Sequence, residues 1–167
     1  MKNRRARARG FTLVNLLITI AVMAIVAAVV VPSAAVGGQL GVSSASVILI
    51  SDLEYAQSLA LASPDDPVVV RFDPEHNRYW IALLSDPGAP LVRPGTNDAP
   101  YVVEFGVGDS RASSEVVMTL QDIPDSMITF DRFGRLTSGV DAKILLEGSG
   151  PARTIEVDAH TGFVRVL

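Results

Sequence analysis

The chain has 167 residues, no cysteine, and 18 acidic against 14 basic side chains. Zero cysteine removes disulfides, thiol catalysis and Cys-ligated metals, and a length of this order holds one modest globular head. The charge is unevenly placed: Lys2, Arg4, Arg5, Arg7 and Arg9 precede Gly10, no further charged residue occurs until Asp52, and the chain beyond Asn15 carries a formal charge of −9. That balance argues against nucleic acid as a main partner, since phosphate contacts need clustered Lys and Arg.

Behind the basic leader, Phe11 to Val31 forms an uncharged run of 21 residues, 13 of them Leu, Ile, Val or Phe. As a helix it measures about 32 Å, which matches a hydrocarbon core of roughly 30 Å. At about −0.3 to −0.6 kcal/mol for each large aliphatic or Phe residue, insertion is favourable by several kcal/mol. Thr12, Asn15 and Thr19 only erode it. The positive-inside rule keeps the leader cytoplasmic and places the residues after the span across the membrane. A cleaved secretory signal is the alternative, with small residues at Pro32-Ser33-Ala34-Ala35, but its apolar region is typically about 7–15 residues, shorter than this one.

Pro32 and Gly37-Gly38-Gln39-Leu40-Gly41 mark a hinge in the helix just outside the bilayer. Helical periodicity resumes with Leu49, Leu53, Ala56 and Ala60 on one face and Asp52, Tyr55 and Ser58 toward another. Ser63-Pro64 then stops the helix. Beyond Pro67 the spacing predicts strands over 68–72, 78–84, 101–105, 115–121, 127–131, 142–147, 153–158 and 163–167, mostly in antiparallel hairpins. Asp73-Pro74-Glu75-His76-Asn77 turns the first hairpin and Ala159-His160-Thr161-Gly162 the last. Residues 85–100, with four prolines and two glycines, read as a long irregular connector. Tyr79 and Trp80 alternate along one strand, and Trp80 is expected in the core. A sheet of this kind needs one face covered, and the second half of the long helix is the amphipathic helix available. The fold class is therefore α+β: a long N-terminal helix, half transmembrane and half amphipathic, packed on a small antiparallel β-sheet head.

Gly10-Phe11-Thr12-Leu13-Val14, followed by Leu16, Leu17 and a closing Pro32, resembles the N-terminus of the type IV pilins and of the pseudopilins of type II secretion systems. The helix-to-strand passage Asp52 to Ala60 with Pro67 to Phe72, and the later Ile128 to Arg135, Thr154 to Val157 and Gly162 to Val164, resemble the H-type minor pseudopilins more narrowly. The resemblance implies cleavage after Gly10 by a prepilin peptidase and N-methylation of Phe11. It also implies assembly contacts through Thr12, Leu13, Val14, Asn15, Leu16, Leu17 and Pro32. Asn15 departs from the pattern, for most members carry Glu there, which is thought to neutralise a neighbouring subunit's N-terminal amine. The organisation implied is a leader over 1–10, a transmembrane and assembly helix over 11–35, and a periplasmic head over 36–167.

By the same resemblance the chain is a non-enzymatic minor subunit at or near the tip of a pseudopilus, single-pass in a bacterial inner membrane, assisting protein export. Its implied partners are the prepilin peptidase, other pseudopilins or pilins, the inner-membrane assembly platform, membrane lipid and secreted cargo. Alternatives are a membrane-anchored periplasmic binding domain that never polymerises and a minor pilin serving adhesion or DNA uptake.

Other candidate chemistry is thin, and neither catalytic residues, cofactor nor metal is assigned. Gly108-Asp109-Ser110 matches the nucleophile block of one esterase family, but Asp158-Ala159-His160 has the wrong spacing to activate it. Gly106-Val107-Gly108 lacks the third glycine and following helix that cradle phosphate. Asp73, Glu75, His76 and Asn77, or Asp122 and Asp125, offer ligand atoms without the order of an EF-hand loop. Solvated turns are the simpler reading for these residues and for both histidines, His76 and His160.

Overall fold

The computed structural model describes residues 13–63 and 65–167, with side chains described for all of these except 27–40, 109 and 112. A single helix, α1, covers Leu13–Ala62. The backbone is helical through Pro32 and Gly37-Gly38, where the sequence suggested a hinge. The chain divides into two compact units between Val36 and Gly37, and each is taken by itself. In the first, every described side chain from Leu13 to Val26 is exposed.

The head builds its core on one stripe of α1. Val42, Ala45, Leu49, Leu53, Ala56 and Ala60 recur at intervals of three and four and are all buried, as a helix with one covered face requires. The alanines in that stripe are small enough for a sheet to approach closely. After Ala62 the helix ends, with the Ser63 N–H donating to the Leu59 carbonyl at 2.9 Å. Pro64, the expected stop, lies outside the described residues.

Nine strands follow, all of them paired antiparallel. β1 (Val68–Asp73), β2 (Arg78–Leu83), β3 (Asp86–Pro90), β4 (Val102–Glu104) and β6 (Met127–Phe130) form one sheet. β5 (Val117–Gln121), β7 (Ala142–Glu147), β8 (Arg153–Val157) and β9 (Val164–Val166) form a second. All eight expected strands are present within a residue or two at each end, but they make two sheets rather than one. β1 is central, pairing β2 through Val70↔Ile81 and Phe72↔Tyr79 and β6 through Val70↔Ile128. That position explains the unbroken Val68-Val69-Val70, all buried, since a central strand is covered on both faces. Apolar side chains of α1 and of both sheets join in one continuous buried cluster, which includes Leu53, Phe72, Tyr79, Phe130, Ile144 and Ile155.

Two sequence expectations are corrected here. The connector 85–100 contains β3, hidden by Pro87, Gly88 and Pro90, residues that sheets accept on edge strands. It pairs β2 through Leu83↔Asp86 and Ala82↔Pro90, with a register shift between. Trp80 is half-buried on the face opposite the core, while Tyr79 is fully buried. Its indole Nε1 donates to the Pro87 carbonyl at 2.8 Å, and the Arg71 guanidinium lies 5.7 Å from its ring. Trp80 thus fastens β3 to β2. On β2 its parity partners are Arg78 and Ala82, whereas Tyr79 shares a face with Ile81, and that contrast decides which ring goes inside.

The turns carry the links between layers. Asn77 takes a left-handed conformation (φ 48°) closing the Pro74–His76 turn, and its side-chain oxygen accepts the Met118 N–H at 3.1 Å, tying the first hairpin to β5 of the other sheet. Gln57 on α1 donates through Nε2 to the carbonyls of Gly134 at 2.8 Å and Thr161 at 3.0 Å. One amide therefore holds two loops against the helix. A Cβ on Gly162 (φ +68°) would fall 1.9 Å from the Gly134 carbonyl oxygen and 2.3 Å from Gln57 Nε2. Gly162→Ala should therefore destabilise a chain shortened to residues 37–167 by about 2–4 kcal/mol, read as a lower urea midpoint at unchanged slope, and a change inside experimental error refutes this packing.

Candidate functional site

Three places hold the chemistry to be weighed: the processing junction, the stem and the cleft beside α1 in the head. Gly10, Phe11 and Thr12, with the basic leader, lie outside the described residues. Leu13, Val14, Asn15, Leu16 and Leu17 open α1 and are all exposed. Thr19 Oγ1 donates to the Asn15 carbonyl at 2.8 Å, one turn along the helix. Pro32 falls within α1 in the backbone sense, its side chain undescribed. Among the described residues no helix is long and apolar enough to cross a membrane; of the expected span Phe11 to Val31, the side chains described are Leu13 to Val26.

In the head, α1 and the β4 region border a cleft of about 810 Å³ lined by Val47, Ile48, Tyr55, Tyr101 and Val107. Its floor is Asp52, which the helical pattern placed toward a face other than that of the Leu49 stripe and which the structure buries, at 8% exposure. Asp52 Oδ2 accepts the Tyr79 hydroxyl at 2.6 Å and Oδ1 the Tyr101 hydroxyl at 2.8 Å. Each donor comes from a different place in the sheet: Tyr79 from the start of β2, Tyr101 from the residue before β4. The signal was present in the sequence, for Leu49, Asp52 and Ala56 stand at i, i+3 and i+7, which puts Asp52 on the flank of the buried stripe.

Burial raises the Tyr79 hydroxyl well above its ordinary value, and the neighbouring Asp52 carboxylate adds to it. Tyr101 is raised for the same reasons, burial first and then its bond to Asp52. Both phenols therefore stay protonated donors. The Tyr55 ring stacks on Tyr101 at 5.5 Å between centroids and 16° between planes, and the Arg93 guanidinium sits 4.9 Å from the Tyr101 ring. This is an arrangement for holding a helix to a sheet. Nothing in it is a nucleophile poised beside a base.

The remaining sequence candidates resolve as structural parts. Ser110 of the Gly-Asp-Ser triplet is buried, and its hydroxyl is shared between the carbonyls of Glu104 and Val107. It fastens a turn rather than attacking a substrate; the side chain of Asp109 lies outside the described residues. Asp73 is bound by His76 Nδ1 at 2.9 Å and Arg78 Nε at 2.8 Å, and the His76 hydrogen bond is the leading cause that holds its carboxyl below the usual range. With one oxygen already shared by the His76 ring and the Arg78 guanidinium, that carboxylate is poorly suited to a metal. Asp122 and Asp125 take left-handed backbone conformations, φ 58° and 53°, in the approach to β6. His160 sits in the last turn, where its N–H and that of Thr161 donate to Asp158.

Residues 5–31 match the prokaryotic N-terminal methylation motif. In fold, the chain is similar to the type IV minor pilin FimU of Pseudomonas aeruginosa. One crystal form gives a TM-score of 0.52 over 75% of this chain and 91% of that one, at 16% identity. A second gives 0.53 over 75% and 87%, also at 16%. The chain is type IV pilin-like in motif and fold. No curated protein sequence matches it.

Removing the carboxylate tests the cleft floor. Asp52→Ala strands two buried hydroxyls and should cost about 3 kcal/mol, with Asp52→Asn costing about half that because one acceptor remains; chemical denaturation of the head measures both. The tyrosines also give a pH signature. Their folded values lie above the ordinary value of 10.0, so their contribution is complete below about pH 10 and is lost as pH rises above it. Tyrosinate absorbance should report Tyr79 and Tyr101 ionising together with loss of circular dichroism. Full ionisation of all three tyrosines in a still-folded head would overturn the assignment.

Proposed function

We propose that the chain is a minor subunit of a pilin-type filament, made as a precursor, cut between Gly10 and Phe11 and methylated on Phe11. The observation that carries this reading is the methylation motif over residues 5–31 on a chain whose fold is FimU-like. Residues 1–10 are the leader, 11–35 the membrane and assembly helix, and 36–167 the periplasmic head. Before assembly the protein is single-pass in the inner membrane with its leader on the cytoplasmic side, as the five positive charges direct.

The assigned role is a place at or near the tip of a type II secretion pseudopilus, assisting export, which the head motifs from Asp52 to Phe72 favour. A minor pilin of a type IV pilus is the second reading, and the likeness to FimU favours it. In either machine the stem packs by apolar contact with other subunits and the assembly platform. The head presents loops to neighbours or to secreted cargo. Asn15 supports low copy number: an amide accepts a hydrogen bond from a neighbour's amine but supplies no charge, and an unneutralised ammonium in an apolar stem is costly.

Two measurements decide the matter. Intact-mass and N-terminal analysis of the membrane-bound protein should show methylated Phe11, and Gly10→Leu should leave the precursor uncut; an unprocessed Met1 or a start at Ala35 sinks the reading. Gold labelling of sheared filaments should place the wild-type chain sparsely at one end, with Asn15→Glu entering along the shaft because a carboxylate pairs with the amine. Wild-type label spread evenly, at the density of a main subunit, refutes the tip position.

A further inference from the structure

We propose that Leu61, Phe133 and Phe163 form a docking surface for another protein subunit, one that presents an apolar side chain flanked by carboxylates. The proposal rests on the filament reading above and names one of the head's contact faces. The three side chains are 53%, 60% and 63% exposed, on three segments that the fold brings to one place. Gln57, one turn before Leu61 on α1, bonds the carbonyls of Gly134 and Thr161. The Leu61 side chain lies 3.4 Å from where a Cβ on Gly134 would stand, and Gly162 sits against the Gly134 carbonyl with no room for a side chain. Phe133 directly precedes Gly134, and Phe163 directly follows Gly162.

These rings stand on a rigid base. Asp131 accepts the backbone N–H groups of Phe133 at 2.8 Å and Arg135 at 2.9 Å, and its second oxygen takes the Arg135 guanidinium. Asp158 orders the neighbouring turn through Thr161 and His160. Phe163 is exposed, whereas Val164, the first residue of β9, is buried. Exposed aromatic rings held by bonded loops lose little entropy on binding, and aromatic and Arg side chains are the ones that concentrate energy at protein interfaces.

Charge chooses the occupant. The Arg132 guanidinium lies 4.9 Å from the Phe133 ring and gives the rings a cationic rim, while the Arg135 guanidinium, 5.0 Å from the same ring, is paired with Asp131. A two-fold contact centred on Arg132 would bring like charges together, which repulsion opposes. A partner with carboxylates around an apolar side chain meets both the rings and the rim.

The test is photocrosslinking in the native membrane with the full-length chain. A benzophenone amino acid replaces Phe133, with Val140, 55% exposed, as the control position. The expected result is one dominant adduct from Phe133 whose partner peptide, identified by mass spectrometry, belongs to another protein and carries Asp or Glu within a few residues of the crosslinked apolar side chain. Arg132→Glu should cut the yield about fivefold and Arg132→Lys should retain it, with the melting temperature unchanged in both. An adduct to lipid, to a second copy, or equal to that from Val140 overturns the proposal, as does a yield indifferent to Arg132→Glu. The Phe11 mass and the gold labelling are scored in the same cells. A processed, filament-borne chain without the adduct refutes this surface alone, whereas an unprocessed chain refutes the filament reading.

Discussion

The bond pair at Asp52 fixes how the helix sits on the sheet. Apolar burial supplies most of the stabilisation, at roughly 25 cal/mol per Å² removed from water, but it is non-directional. A stripe made largely of Val, Leu and Ala slides along a valine-rich strand at modest cost. Two hydroxyls aimed at the two oxygens of one carboxylate do not slide. Each charge-assisted bond is worth about 1.5–3 kcal/mol, and breaking either leaves a buried group unsatisfied. Because side chains alternate along a strand, a one-residue slip of β2 would swing Tyr79 out and bring Trp80 toward the helix, losing one hydroxyl at Asp52 and the indole bond to Pro87 together.

A second level of order comes from carboxylates that organise their own turns. Asp131, Asp158 and Asp73 each gather two or more donors close by in sequence. For Asp131 burial opposes ionisation, and the bonds from Arg135 and Phe133 outweigh it; for Asp158 the Thr161 hydroxyl leads; for Asp73 His76 leads. All three carboxyls sit below their ordinary values. Their contribution is therefore present above that ordinary range and fades as pH falls through the folded values. The head is constrained from both sides, by carboxylates in acid and by phenols in alkali, with neutral conditions between.

Much of this was legible before any coordinates, and the failures share a cause. Leu49, Leu53, Ala56 and Ala60 announce their burial by spacing alone, and eight strands follow from β-branched runs between turn residues. Asp52 was set toward a different face from the apolar stripe, and spacing alone did not show that a carboxylate on the flank of that stripe meets hydroxyls from the sheet. Trp80 was misplaced because size was read as burial, although its strand neighbours Arg78 and Ala82 marked the outer face. β3 was missed because prolines argue against central strands and say little about edges. Division into two sheets, and the links through Asn77 and Gln57, depend on contacts between residues 41 to 104 apart in sequence. Local pattern carries no trace of those pairings.

The two units of the chain divide their work by the kind of surface each offers. From Leu13 to Val26, ten large apolar side chains are between 52% and 79% exposed, all round the helix. Such a surface finds cover in lipid or among other stems with little preference between them, because dispersion and apolar burial do not recognise sequence. Discrimination must then come from what is polar and fixed. In the stem that is Asn15, an exposed amide in an apolar run. In the head it is the loops, whose backbones are bonded to Asp131, Asp158 and Gln57 before any partner arrives. An apolar helix surface of this kind offers area for burial, and preorganised loops offer specificity.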